Sequence, residues 1–133
     1  MKYFLPLLLI CIGANLNAQS TSYPTTAEGI INLLRLDQDQ SVKLQKIIDR
    51  KEAQIEEITP LKSADLEKYI SKRSAINDGM VKSIQLLINK NQVQSFNEYL
   101  IAIRTYKAEL MRSKRSAGAN QQEIRLSIAE MPM

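Results

Sequence analysis

The chain reads as all-α: an elongated helical hairpin or bundle of about four helices with a short helix at the C-terminal end. Three observations carry that reading. Apolar residues recur at spacings of three and four, and no segment between turn signals alternates apolar and polar residues strictly enough to be a strand. Glycine and proline are few, four of each, and fall mostly where helices should begin or end. A short pattern occurs twice, Leu36-Asp37-Gln38-Asp39-Gln40 and Ile88-Asn89-Lys90-Asn91-Gln92. In each copy an apolar residue precedes a short side-chain acceptor, Asp37 or Asn89, which can take the N-cap. A glutamine three positions on, Gln40 or Gln92, can reach back to the cap's own N–H.

The elements follow in order. Residues 1–18 read as a secretory signal peptide: Lys2 supplies the charged start, Leu5 to Ile12 the apolar run and Leu16-Asn17-Ala18 the cleavage site. That run is too short to span a bilayer, and no later stretch is long and apolar enough. Lipidation at Cys11 is disfavoured because Ile10 stands where a small residue would be expected. Cleavage leaves 115 residues, one domain by size, with the lone cysteine removed. Residues 19–25 form a polar lead-in expected to be mobile.

The helical domain spans residues 26–115. Thr25 with Glu28 resembles a capping box for a helix from Thr26 to Arg35, bearing Ile30, Ile31, Leu33 and Leu34. The next runs from Gln38 to Ile58 with Leu44, Ile47, Ile48, Lys51, Ile55 and Ile58 on one stripe, and Thr59-Pro60 ends it. A third spans Ser63 to Leu87, burying Leu66, Tyr69, Ile70, Ile76, Met80, Ile84 and Leu87. A kink or local break is expected at Gly79, since mid-helix glycine costs about 1 kcal/mol relative to alanine. The second motif copy restarts the chain into a helix from Lys90 to Ser113, carrying Val93, Phe96, Leu100, Ile103, Tyr106 and Leu110. Ser116-Ala117-Gly118 closes it, and residues 116–133 form a tail whose short helix is capped by Asn120 with Glu123. Helices this long in so small a chain leave apolar surface over, so self-association is expected.

The residues after the signal peptide include no His, Cys or Trp. The commonest transition-metal ligands, most nucleophile–base pairs and any unperturbed base near neutral pH are therefore missing. No phosphate loop, nucleophile elbow or calcium loop occurs. No cofactor, metal or catalytic residue is assigned. Asp37, Asp39, Glu52, Glu56 and Glu57 read first as solvated helix faces. The mature chain has 17 basic and 14 acidic residues, a charge of +3 that gives no sign of nucleic-acid binding. Arg112, Lys114 and Arg115 complement the dipole at a helix C-terminus, at about 0.3 to 1 kcal/mol per charge. Lys68, Lys72, Arg73, Arg104 and Lys107, interleaved with Tyr69, Tyr99 and Tyr106, form the candidate surface for acidic, partly unfolded chains.

A secreted helical chain with two L-T-x-x-Q-like helix starts, their glutamines 52 residues apart, resembles the Spy and CpxP family of periplasmic proteins. The family pattern is leucine, threonine, two variable residues, glutamine. Leu36, Gln40 and Gln92 match it; Asp37 and Asn89 replace the threonine and Ile88 the second leucine, each preserving the cap chemistry. The resemblance covers Glu28 to Leu110. It implies a periplasmic, antiparallel homodimer whose concave helical face holds unfolded clients without ATP, and a role in envelope stress. Metal-linked members of the family use His and Cys ligands, which the mature chain lacks. Two alternatives stand beside it: a regulatory stress protein that binds one partner such as an envelope sensor domain, and a carboxylate-based enzyme or hard-metal binder, which would need acids converging in one pocket.

Overall fold

Thr26 starts the first helix, one residue later than the Thr25–Glu28 pair predicts. Its extended backbone lets its hydroxyl accept from the N–H of Gly29 at 3.1 Å. The computed structural model describes residues 23–133, so the expected signal peptide, Cys11 and residues 19–22 lie outside the described residues. The described chain folds as α1 (Ala27–Leu34), α2 (Gln38–Ile58), α3 (Leu61–Ala64), α4 (Leu66–Leu87), a 3-10 turn (Lys90–Gln92), α5 (Val93–Ser116) and α6 (Gln121–Ala129), with no strand among the described residues. All-α is the observed class.

α2 has the predicted ends. α4 differs from the expected helix, because Asp65 divides it: the Asp65 carboxylate accepts from Lys68 N–H at 3.1 Å and starts α4, leaving α3 as a single turn after Pro60. A short acceptor gains more at a cap than inside a helix, where it competes with the backbone. The break expected at Gly79 does not occur. α4 runs through it without interruption, and a Cβ there would meet nothing within 4 Å. α5 extends to Ser116, where Gly118 at φ +81° turns the chain so that Ala119 N–H reaches the Lys114 carbonyl at 3.0 Å.

α2 and α4 pack along their lengths as an antiparallel pair: the start of α2 meets the end of α4 at Leu87, and Ile58 at the other end meets Tyr69 and Ile70. α1 packs on α2 and α5, and α6 lies against both α4 and α5. The main core joins Ile30, Leu34, Leu36 and Leu44 to Met80, Ile84, Phe96 and Tyr99. Tyr23, Met131 and Met133 belong to this same core. Tyr23, which composition placed in a mobile lead-in, is instead buried. Its ring packs edge-on to Tyr99 and Tyr106, and its hydroxyl donates to the Pro132 carbonyl at 2.7 Å. The tail also packs into the domain, with Ile124 and Ala129 of α6 buried and Met131 and Met133 in the main core.

Candidate functional site

The two repeated motifs meet. At the first, Asp37 accepts from Gln40 N–H (2.8 Å) while Gln40 Oε1 accepts from Asp37 N–H (3.0 Å), which completes the capping box. At the second, Asn89 accepts from Asn91 N–H (3.0 Å) and Gln92 Oε1 accepts from Asn89 N–H (2.9 Å). Each glutamine has a second hydrogen-bonding end, and the two amides use it on each other. Gln40 Nε2 donates to Gln92 Oε1 at 2.8 Å, and Gln92 Nε2 donates to Gln40 Oε1 at 2.9 Å.

The remaining protons complete a two-fold pattern. Gln40 Nε2 also donates to the Leu87 carbonyl (3.1 Å), and Gln92 Nε2 to the Arg35 carbonyl (3.0 Å). Leu87 and Arg35 each stand immediately before a motif. Arg35 is the only non-glycine residue with positive φ among the described residues (53°), as the left-handed C-cap of α1. Both glutamines are buried, at 8% and 7% exposure, so an unpaired amide here would be costly. Leu36 is buried beside them and Ile88 half-buried. Chemically this is a clasp: it satisfies buried polar groups and ties the two motifs at one end of the α2–α4 pair.

Of the surface candidates, Lys68, Lys72, Arg104 and Lys107 are exposed and Tyr106 is half-buried. Tyr69, Arg73 and Tyr99 are corrections to the expected surface, because all three are buried. Tyr69 sits under the tail, donating to Glu130 Oε1 at 3.0 Å with the Lys62 ammonium over its ring. Arg73 is turned inward to donate to Asn77 Oδ1 at 2.5 Å. Tyr99 is wholly enclosed, its hydroxyl without a partner among the described residues; burial pushes that hydroxyl up to about 12. The period-three-and-four pattern puts Tyr69 on the buried face of its helix as well as in the candidate surface, while Tyr99 stands on α5 and Arg73 outside the apolar pattern; aromatic rings and an arginine stem fit a core as well as a rim.

The remaining candidates do not form one patch. Lys72 lines a groove of about 460 Å³ between α2 and α4, whose walls are Ile47, Ile58, Ile76 and Met80 with Arg50, Lys51 and Glu57. Lys107 lines a separate cavity of about 470 Å³ among α4, α5 and α6. The large apolar side chains left exposed are elsewhere: Leu86 at 88%, Ile101 at 59%, Val42 and Val93. Leu86, Val42 and Val93 lie within two residues of Leu87, Gln40 and Gln92, and the exposed Lys43, Lys82 and Lys90 are close in sequence. Sequence reasoning missed this surface, since a lone exposed apolar residue has no period to betray it.

No family model, curated protein or solved structure matches the chain. Among the described residues no three His, Cys, Asp or Glu side chains gather as a metal site, and no helix is long and apolar enough to cross a membrane.

A second polar cluster ties the middle of α4 and α2 to the C-terminal segment. The Asn77 amide donates to the Ala129 carbonyl at 3.0 Å, and Lys51 Nζ donates to the Met133 carbonyl. Burial, and next the positive charge of Arg73, hold the Lys51 ammonium below the usual lysine range. Burial raises the Glu130 carboxyl, but hydrogen bonds from Lys62 and Tyr69 outweigh it and keep the group below its ordinary value.

Proposed function

We propose that this chain is a holding chaperone of the bacterial periplasm, similar to the Spy and CpxP family, that binds unfolded or partly folded proteins without nucleotide or covalent chemistry. The observation that carries the reading is the almost fully exposed Leu86 and the half-exposed Val42 and Val93, each within two residues of a clasp position, with the exposed Lys43, Lys82 and Lys90 close to them in sequence. Mild positive charge steers acidic clients, and scattered apolar side chains then engage them weakly over many points. The clasp supports that use, because a rigid frame keeps these side chains from collapsing into a core of their own. An antiparallel homodimer would double the surface.

Light scattering of an aggregating, acidic client tests the proposal. Equimolar mature protein lowers the scattering, and added salt weakens the effect as screening shortens the reach of the lysines. No suppression at any salt concentration ends the holding role. The alternative, regulation of one envelope sensor, would instead give a single stoichiometric partner and no protection of unrelated clients.

A further inference from the structure

The groove between α2 and α4 carries positive charge that no side-chain carboxylate pairs. Its lining holds three cations, Arg50, Lys51 and Lys72, against one acid, Glu57. The ion pairs among the described residues are Lys62–Glu130 and Arg125–Glu67, and neither involves these cations. Arg50 instead donates to the neutral Ser83 Oγ at 2.9 Å, and Lys51 Nζ to the Met133 carbonyl. Lys51 is half-buried and close to the like charge of the buried Arg73, while the attraction of Glu52 is the weakest of the three influences on it. A cation so placed gains from an anion brought beside it.

Gly79 points the same way. It is exposed in the middle of α4 and lines the groove, at a place where glycine costs about 1 kcal/mol relative to alanine. Neither backbone nor packing requires it, since its conformation is helical and a Cβ there would meet nothing within 4 Å. The missing side chain keeps open the stretch of groove it shares with Ile76 and Met80. From Ile47 to Ile58 the α2 wall runs about 16 Å, and the volume of about 460 Å³ falls within the range of about 300 to 1,000 Å³ usual for small-molecule sites. The Arg50–Ser83 bond marks the cationic end, and Glu57 adjoins Ile58 at the other. A bare anion would leave the apolar walls wet, and a neutral lipid would leave Arg50 and Lys51 unanswered. We infer that this groove binds a single-chain anionic amphiphile, a long-chain carboxylate of the fatty-acid class, with its head at Arg50 and Lys51 and its apolar chain along Gly79, Ile76 and Ile58. The site goes beyond the holding role and does not rest on it.

Isothermal titration calorimetry of the mature chain with dodecanoate, kept below its micelle concentration, tests the site. One dodecanoate should bind per chain. Acetate has the head without the chain, and dodecyltrimethylammonium the chain with the opposite charge; each should bind at least about tenfold more weakly. Gly79→Leu fills the trough from a position whose Cβ has free space, so it should keep or raise the melting temperature while lowering dodecanoate affinity at least about tenfold. Arg50→Glu, at an exposed position, should lower the affinity by a similar factor through repulsion of the head. Failure of dodecanoate to bind overturns the inference, and so does an affinity that either folded variant leaves unchanged. Equal affinity for the ammonium amphiphile overturns it too, because it marks indiscriminate uptake by exposed apolar side chains. Should Gly79→Leu unfold the protein, Arg50→Glu decides alone by the same criterion. Dodecanoate binding without any suppression of aggregation supports the site while ending the chaperone reading. Suppression of aggregation by a chain that binds no dodecanoate does the reverse.

Discussion

Replacing either clasp glutamine with alanine removes four hydrogen bonds at once, and two of the four are shared with the other glutamine. For Gln92→Ala these are the bonds from Asn89 N–H and Gln40 Nε2 and those to Arg35 O and Gln40 Oε1. At about 0.5 to 1.5 kcal/mol net each, the loss is about 2 to 6 kcal/mol, and the lower half of that range applies because Asn89 and Arg35 can take up water. Gln40→Ala should cost the same, about 2 to 4 kcal/mol, through Asp37 N–H and Leu87 O. The double variant breaks the two shared bonds only once, so it should be less destabilised than the sum of the singles by about 1 to 3 kcal/mol. Urea denaturation of the four proteins, followed by circular dichroism, gives the cycle. Glutamines that merely cap their own helices would add to within about 0.5 kcal/mol, and that result would refute the clasp. Gln40→Glu supplies a control of nearly the same shape. It sets a carboxylate against two acceptors, so its deficit should shrink as the pH falls and the carboxyl gains a proton.

Three further outcomes follow from the packing. Gly29→Ala places a Cβ 2.7 Å from the Pro24 side chain, so the lead-in must move and draw Tyr23 from the core; a loss of about 1 to 3 kcal/mol is expected in the same denaturation experiment, against a small gain if helix propensity ruled. Tyr99→Phe removes a buried hydroxyl that has no partner among the described residues and should stabilise by about 1 kcal/mol, read as a raised melting temperature. Glu130 and Glu67 both have carboxyl groups held below their ordinary value, Glu67 by hydrogen bonds from Gln122 and Arg125. A carboxyl depressed by folding stabilises above its unfolded value of about 4.5, and that contribution is lost as the pH falls below it. The Met131 and Met133 methyl resonances should therefore report tail release below that pH while the bundle stays helical.

Much of the frame was legible in sequence because local rules set it. Asp37 and Gln40, and Asn120 and Glu123, cap the helices their spacing marks, and α2 ends where Thr59-Pro60 says it should; Asn89 and Gln92 form the expected box but on a 3-10 turn, so that α5 begins only at Val93 and not at Lys90. Asp65 was missed as a helix start because it has no glutamate or glutamine three residues on to announce it. What lay beyond reach was tertiary. Periodicity puts Tyr69 on a buried face, yet nothing in it says that Arg73 turns inward to Asn77 or that Tyr99 shares a core with Met131 and Met133. The clasp is intermediate: each glutamine's capping role follows from spacing, but the meeting of the two amides depends on the antiparallel course of α2 and α4.

The central claim is that the clasped frame holds non-native protein and leaves native protein alone. Fluorescence anisotropy with one labelled client, compared as its folded wild type and as a destabilised variant unfolded in the same buffer, tests it in a single titration. The account predicts saturable binding of the unfolded form that weakens with salt, and none of the folded form. Equal binding of both forms, or of neither, would contradict it.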